Sequence, residues 1–286
     1  MNREKEKLLA LLQPYKHEID RYFEREIPNL DSKHTVRDAC EYALLNGGKR
    51  LRPAIVYMIG EALEKPKRAM HQAAASVEMF HAASLIADDL PCMDDDDERR
   101  GKPSLHKKYG EAVALLSGFS LFSAGFEYIS KIENIEEERY RCLLSHAGRL
   151  NGIQCLIYGQ YLDLFAKNIN EEKILEIIEK KTASLFELAF LYGWVVGGGS
   201  LDHIQEIQQA AYHFGAAFQI LDDIGDADKD AQASHKANYA NLFGKKEAAQ
   251  AVHTHVESFI SIFNTLSTHP KPLIAIAQGL AVLSDL

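Results

Sequence analysis

Two aspartate-rich stretches set the chemical question. The first, ADDLPCMDDDDERRGKP (Ala87–Pro103), packs seven carboxylates into eleven residues behind an apolar helical run. The second, FQILDDIGDADKD, carries Asp222, Asp223 and Asp226. Like charges this close repel one another. Asp222 and Asp226 stand four apart on one helix face, a pairing that destabilises an isolated helix. Divalent cations with oxygen ligands relieve such repulsion, and Mg2+ is usually held by one or two carboxylates plus substrate phosphates and water. A lone DDDDE run is most often a solvated surface. Two Asp-rich helix ends, each behind an apolar run that reads as core, point to metal.

The first stretch has further geometry. His81 and Asp88 are seven residues apart on one face, which is roughly 10 Å along a helix axis. Pro91 stops that helix, so Asp94 is expected to reach back from the next segment and meet Asp88 and Asp89 at one mouth. Asp95, Asp96, Asp97 and Glu98 read as solvated loop charges. Cations complete the pattern: Lys49, Arg50 and Arg52 in GGKRLRP (Gly47–Pro53), Arg99 and Arg100 after the acids, and Lys181-Thr182 inside an apolar helix. Arg offers a bidentate fork for phosphate and Lys a point charge. Together they suggest two anion sites, one built on metals and one on Arg and Lys alone.

The elements that must position these groups read as helices. All eight prolines lie at or before Pro103 or at Pro270 and Pro272, and the Pro-free middle is rich in helix-forming residues. Helices are expected at about 3–27, 34–46, 53–64, 67–90, 105–131, 136–167, 171–198, 202–230, 244–268 and 271–284. Gly47-Gly48 and Gly197-Gly198-Gly199 supply stops, Pro53 a first-turn residue, and Asn170 and Asp202 caps. No linker or repeat divides the chain. One all-α domain over residues 1–286 is expected, a bundle of about ten helices.

The bulk numbers narrow the function. A net charge of -9 argues against a nucleic-acid surface, because phosphate backbones are bound largely by Lys and Arg. Cys40, Cys92, Cys142 and Cys155 form no CxxC pair and read as free thiols in a reducing compartment. The opening MNREKEKLLALLQP has an apolar stretch too short for a signal peptide. The longest uncharged windows, Ala112–Phe126 and Leu188–Leu201, are shorter than a bilayer span and read as buried core helices. A cytoplasmic protein is expected.

With these motifs in order, the chain resembles the trans-isoprenyl diphosphate synthases, the short-chain farnesyl and geranylgeranyl diphosphate synthase group. The resemblance runs through GGKRLRP, DDLPCMD with RRGKP behind it, YGQYLDL (Tyr158–Leu164), KTASLF (Lys181–Phe186), FQILDD with DDIGD, and KANYANLFG. It implies the isoprenoid synthase fold, helices around a central cavity, and usually a homodimer. It also implies three Mg2+ ions per active site. By resemblance Asp88 and Asp94 bind two ions and Asp222 the third, with Asp89, Asp223 and Asp226 beside them. Lys49, Arg52, His81 and Arg100 match the residues holding isopentenyl diphosphate, and Arg99, Lys181, Thr182 and Gln219 those around the allylic diphosphate. Asp88, Asp89, Asp94, Arg99, Lys181, Asp222 and Asp223 are the catalytic candidates.

The sequence departs from the family pattern in places. Ala87 stands where His usually precedes the first motif. The link between DDIGD and KANY is short; Lys229 matches a later lysine of the usual loop, and Lys236 opens KANY, both as candidate substrate-binding residues. Ala83, five before Asp88, is small where farnesyl-producing bacterial relatives often carry an aromatic. With Ala82 and Ser84 also small, a deeper cavity and the twenty-carbon product are expected in preference to the fifteen-carbon one. A class I terpene cyclase, a non-catalytic synthase subunit and a structural or calcium-binding helical protein are the competing readings. DDIGD and GGKRLRP argue against the cyclase, intact aspartates against the subunit, and the two cation clusters against the last.

Overall fold

The computed structural model describes residues 2–230, 238–266 and 268–285. Its helices run α1 (Asn2–Glu26), α2 (Thr35–Leu45), α3 (Leu51–Ala62), α4 (Lys67–Asp88), α5 (Leu105–Tyr109), α6 (Glu111–Ser130) and α7 (Glu137–Asn151). They continue through α8 (Leu156–Phe165), α9 (Glu171–Ile177), α10 (Ser184–Gly197), α11 (Ile204–Asp230), α12 (Tyr239–Phe243), α13 (Lys245–Thr265) and α14 (Lys271–Ser284). The all-α expectation holds. The one departure among the described residues is a small antiparallel ribbon, β1 (Glu98–Arg99) with β2 (Lys102–Pro103), Arg99 opposite Lys102. It turns the chain back just where the two arginines must face the cavity.

Helix α10 occupies the centre and packs on α3, α4, α7 and α11. Its Leu185–Val195 run is apolar on every face apart from Glu187, and the other ten of those eleven residues are buried; such a helix is stable only inside a core. Small residues on α4 (Ala73, Ala74, Ala75, Ala82, Ala83) let α6 lie close along it. One hydrophobic core joins residues from Leu12 on α1 to Ala281 on α14.

Several long helices expected from periodicity are broken. The 105–131 segment divides at Gly110, whose φ of +85° is open to glycine and strained for other residues. The 136–167 segment divides at residues 152–155 into α7 and α8. The 171–198 segment is α9, a π-helical turn over Ile178–Ala183, then α10; the apolar period barely registers one extra residue in a turn. Asn170 caps α9 as expected, accepting from the Lys173 amide at 2.9 Å. Asp202 does not cap α11: Ser200 takes that role for a short 3-10 turn, accepting from the Asp202 amide. The stop at Gly197-Gly198-Gly199 stands, with Gly198 left-handed.

The Ala112–Phe126 window is not the buried helix that its composition suggested. One flank of α6 packs on α4, while Leu115, Leu116 and Phe119 are exposed, Phe119 at 65%. Helix α6 is long and apolar enough to cross a membrane by length and composition, but its inner face is committed to α4 and α2. Helix α8 continues the apolar surface with Ile157, Tyr161 and Phe165.

Candidate active site

Helix α4 delivers Asp88 at its last turn. After Pro91 the chain folds back, and the Asp94 amide donates to the Asp88 carbonyl at 2.9 Å. Asp94 thus returns to the helix end. It lines an acidic pocket of about 250 Å³ together with Asp222, Asp223 and Asp226 of α11. Burial pushes the Asp88 carboxyl up to about 6, against the pull of Lys181 and with Asp94 adding to the rise. Several carboxylates thus crowd one small space, and the donor atoms that Asp94, Asp222 and Asp226 offer there are all hard oxygen. That set fits Mg2+.

Asp89 does not join the others. It is 3% exposed, accepts from Arg99 Nε at 2.9 Å and pairs with the same guanidinium through Nη2. Burial raises its carboxyl and Arg99 opposes that rise. It borders a separate crevice with Tyr42 and Asn46, so the structure gives it the work of placing Arg99. Asp96 moves the other way: read as a loop charge, it lines the acidic pocket and meets Arg99 at 3.2 Å. Asp95 and Asp97 are exposed as expected.

Asp223 is also turned inward. Its Oδ1 accepts from Gln219 Nε2 at 2.8 Å and its Oδ2 from the Tyr239 amide at 2.7 Å. Gln219 in turn accepts from Thr182 Oγ1 at 2.8 Å. Asp223 therefore ties α11 to the start of α12 and orients Gln219 and Thr182. Lys236 and the side chain of Lys229 lie outside the described residues.

The cationic half opens from the same space. Lys49, Arg52, His81 and Arg100 line a cavity of about 460 Å³ that also reaches Asp88, Lys181 and Asp222. Arg52 donates to His81 Nε2 at 3.4 Å and lies over the Phe186 ring. Burial brings Arg52 down to about 10, with Glu78 opposing the fall and Arg100 adding to it. Burial and Arg52 hold His81 well below the usual histidine range, hence neutral at pH 7. Arg52 Nε and His81 Nδ1 are buried with no hydrogen-bond partner, and a buried donor without a partner carries a desolvation penalty that a bound anion relieves.

Arg50 belongs to the scaffold. It is 3% exposed, has a left-handed φ of +53°, and donates to Glu78 Oε1 at 2.6 Å and Asp20 Oδ1 at 2.8 Å. This buried pair fixes the turn that presents Lys49 and Arg52. Its signal in the sequence was Glu78, the one acid of α4 before Asp88.

Lys181 and Thr182 sit in the π-helical turn and line both the acidic and cationic spaces. Lys181 Nζ meets Asp163 Oδ2 of α8 at 2.5 Å. Burial disfavours its charge, but Asp163 and Asp88 outweigh burial and raise it. Asp163 was missed as a site residue, although it is the only charged side chain of α8, inside the YGQYLDL motif.

The third space is apolar. A cavity of about 440 Å³ runs from Asp88 past Ala87, Ser84 and Ala83 toward Phe80. Phe80 is fully buried and packs edge-on against Phe122 and Phe126 at 5.4 and 5.0 Å between ring centres. Asp88 joins the apolar channel to the cationic cavity, and Lys181 joins that cavity to the acidic pocket.

The comparisons agree with this layout. The polyprenyl synthetase family matches residues 33–256. Geranylgeranyl pyrophosphate synthase 3 of Arabidopsis thaliana, chloroplastic, is 36% identical over 268 residues, covering 86% of this chain and 74% of its own. Farnesyl diphosphate synthase of Haemophilus influenzae is 36% identical over 265 residues, covering 87% and 90%. The crystal structure of a geranyltransferase from Legionella pneumophila superposes with a TM-score of 0.86 at 28% identity, covering 100% of this chain and 99% of that one. With its helices arranged as in that structure and its motifs placed around one cavity, the chain belongs to the polyprenyl synthetase family of prenyl-transferring enzymes.

Proposed function

We propose that this chain is a geranylgeranyl diphosphate synthase, adding isopentenyl diphosphate to an allylic diphosphate in successive head-to-tail steps. The observation that carries the reading is the meeting of the three spaces. One diphosphate pocket is acidic and suited to Mg2+, the other is cationic, and an apolar channel joins the cationic one at Asp88.

Asp88, Asp94, Asp222 and Asp226 would hold Mg2+, which supplies charge neutralisation for the departing diphosphate. Lys181, Thr182 and Arg99 bind and orient that allylic diphosphate, with fixed positive charge placed where negative charge grows. Lys49, Arg52 and Arg100 hold isopentenyl diphosphate at the cationic end of the cavity, whose Asp88 and Asp222 lie on the side shared with the allylic site, so it is bound by fixed positive charge and its own C–O bond is left intact. The apolar walls exclude water from the allylic cation until the isopentenyl double bond attacks it. Proton loss then restores an allylic diphosphate one prenyl unit longer.

The product length rests on the channel. Relatives named for either product match at 36% identity, so the cavity has to decide. Ala83 lies about 7.5 Å and Phe80 about 12 Å down the helix axis from Asp88. With no bulk at Ala83 or Ser84, the Phe80–Phe122 pair forms the floor about one helical turn deeper, close to one added prenyl unit. We also assign the exposed apolar surface of α6 and α8 to a second copy of the chain, because contiguous apolar surface of this kind marks an interaction site.

The test is incubation with Mg2+, labelled isopentenyl diphosphate and dimethylallyl, geranyl or farnesyl diphosphate in turn, followed by identification of the prenyl alcohols after dephosphorylation. Geranylgeraniol supports the reading. Farnesol alone assigns the fifteen-carbon synthase, a hydrocarbon the cyclase, and no incorporation with any primer the non-catalytic subunit. Sedimentation should give a dimer, and Phe119→Glu should give monomers.

A further inference from the structure

Lys181 and Thr182 are held by two different helices, and both helices do it in the same way. Lys181 pairs with Asp163 of α8, and Thr182 donates to Gln219 of α11. Four residues before each partner, hence on the same helix face, stands a glycine: Gly159 before Asp163 and Gly215 before Gln219. Both glycines touch the π-helical turn itself. A Cβ on Gly159 would overlap the Lys181 amide nitrogen and lie 2.6 Å from the Lys180 carbonyl carbon. A Cβ on Gly215 would lie 2.9 Å from both Cα and Cβ of Ala183. Gly148 of α7, by contrast, would meet nothing within 4 Å.

A π-helical turn carries one residue more than the α-helix it interrupts, and such turns are frequent at functional sites. Here the widened turn is Ile178–Ala183, and two of its successive polar residues, Lys181 and Thr182, line the same pocket. Each is fastened by a side chain one helical turn beyond a backbone-to-backbone contact. The close approach and the polar tether therefore act as a pair on each helix: the glycine sets the distance, and Asp163 or Gln219 sets the direction.

We infer that Gly159 and Gly215 are positioning residues for the allylic diphosphate site: they let α8 and α11 close on the π-helical turn, and this contact keeps Lys181 and Thr182 directed into the pocket. The inference deepens the proposed function and rests on it for the identity of the ligand. An added methyl at either glycine forces the helix away from the turn. Asp163 or Gln219 moves with its helix, and the cation or hydroxyl it holds leaves the position that meets the diphosphate. Lys49, Arg52 and Arg100 touch neither glycine, so the cationic pocket is disturbed less, through the Lys181 and Thr182 it shares and, for Gly215, through the Phe186 ring beneath Arg52, which the new methyl would meet at 3.2 Å.

Three variants test this: Gly159→Ala, Gly215→Ala and the control Gly148→Ala. The first readout is calorimetric binding of inorganic pyrophosphate with Mg2+ and with EDTA, which needs no turnover. The second is the KM for each substrate. Gly159→Ala and Gly215→Ala should weaken the Mg2+-dependent pyrophosphate binding and raise the allylic KM by about tenfold or more, as ångström-scale misplacement does. The isopentenyl KM should rise clearly less than the allylic KM, least of all in Gly159→Ala, and Gly148→Ala should match the wild type. If Gly159→Ala fails to fold, Gly215→Ala, whose new methyl meets the α-carbon and methyl of Ala183 and the edge of the Phe186 ring, carries the same prediction. Folded variants with wild-type pyrophosphate affinity overturn the inference. So does an equal rise in both KM values, or loss of fold in both variants, since either makes the glycines general packing residues. A wild-type chain that binds Mg2+-pyrophosphate yet transfers no prenyl group refutes the proposed function, while the pyrophosphate arm still decides the role of the glycines.

Discussion

Glu78→Gln isolates the buried ion pair that holds the GGKRLRP turn. Glu78 and Arg50 are 2% and 3% exposed and 2.6 Å apart. Removing one partner of a buried pair costs about 3–5 kcal/mol, because the other charge is left without compensation. Arg50 keeps Asp20 and the Leu44 carbonyl, which places this variant at the low end, about 3 kcal/mol. For 286 residues at about 2.1 cal/mol/K of unfolding entropy each, that corresponds to a fall in Tm of about 5 °C. The paired replacement Arg50→Met/Glu78→Met removes both charges, and exchanges of this kind are neutral or stabilising. Its Tm should return to within a few degrees of wild type, measured by circular dichroism on the same buffer series. A Glu78→Gln variant that melts within 2 °C of wild type would refute the reasoning, and so would a double variant no better than the single.

Other outcomes follow from the same geometry. Ala83→Tyr should raise the channel floor by one helical turn and shorten the main product by one prenyl unit; an unchanged alcohol profile places the floor elsewhere. Asp163→Asn leaves Lys181 without its partner and should lower turnover or raise the allylic KM by about 10–100-fold, the size expected for a charged hydrogen bond, with the isopentenyl KM unchanged. His213 and His255 face each other across α11 and α13 with Nδ1 atoms 2.9 Å apart. Burial lowers both, with His213 adding to the fall of His255 to about 4. A histidine held neutral in the folded state binds fewer protons than in the unfolded chain, so stability is full above about pH 6.5 and lost as pH falls toward 4. Denaturant titration should show a loss of about 2 kcal/mol over that window, clearly smaller in His255→Phe, where only His213 remains.

Much of the site was legible because charge is conspicuous in apolar surroundings. Asp88, Asp94, Asp222 and Asp226 stand out against core helices, and GGKRLRP against its flanks. What the sequence hid was direction. Asp88 and Asp89 are adjacent, yet one faces the apolar and cationic cavities and the other turns to Arg99, because the helix ends between them. Asp96 resembles its neighbours in type, and only the β1–β2 ribbon brings Arg99 back to meet it. The π-helical turn hid for another reason: one extra residue per turn leaves hydrophobic spacing almost unchanged. The exposed flank of α6 misled because an apolar composition fits a second subunit's surface as well as a core.

The proposed function requires one division: a metal-independent cationic site for isopentenyl diphosphate beside a metal-dependent acidic site for the allylic partner. Calorimetric binding of isopentenyl diphosphate and of a non-ionising allylic thiolodiphosphate, each in EDTA and in Mg2+, tests it directly. Isopentenyl diphosphate should bind with similar affinity in both buffers, and the allylic analogue only with Mg2+. Equal dependence of the two ligands on Mg2+, in either direction, would contradict the account.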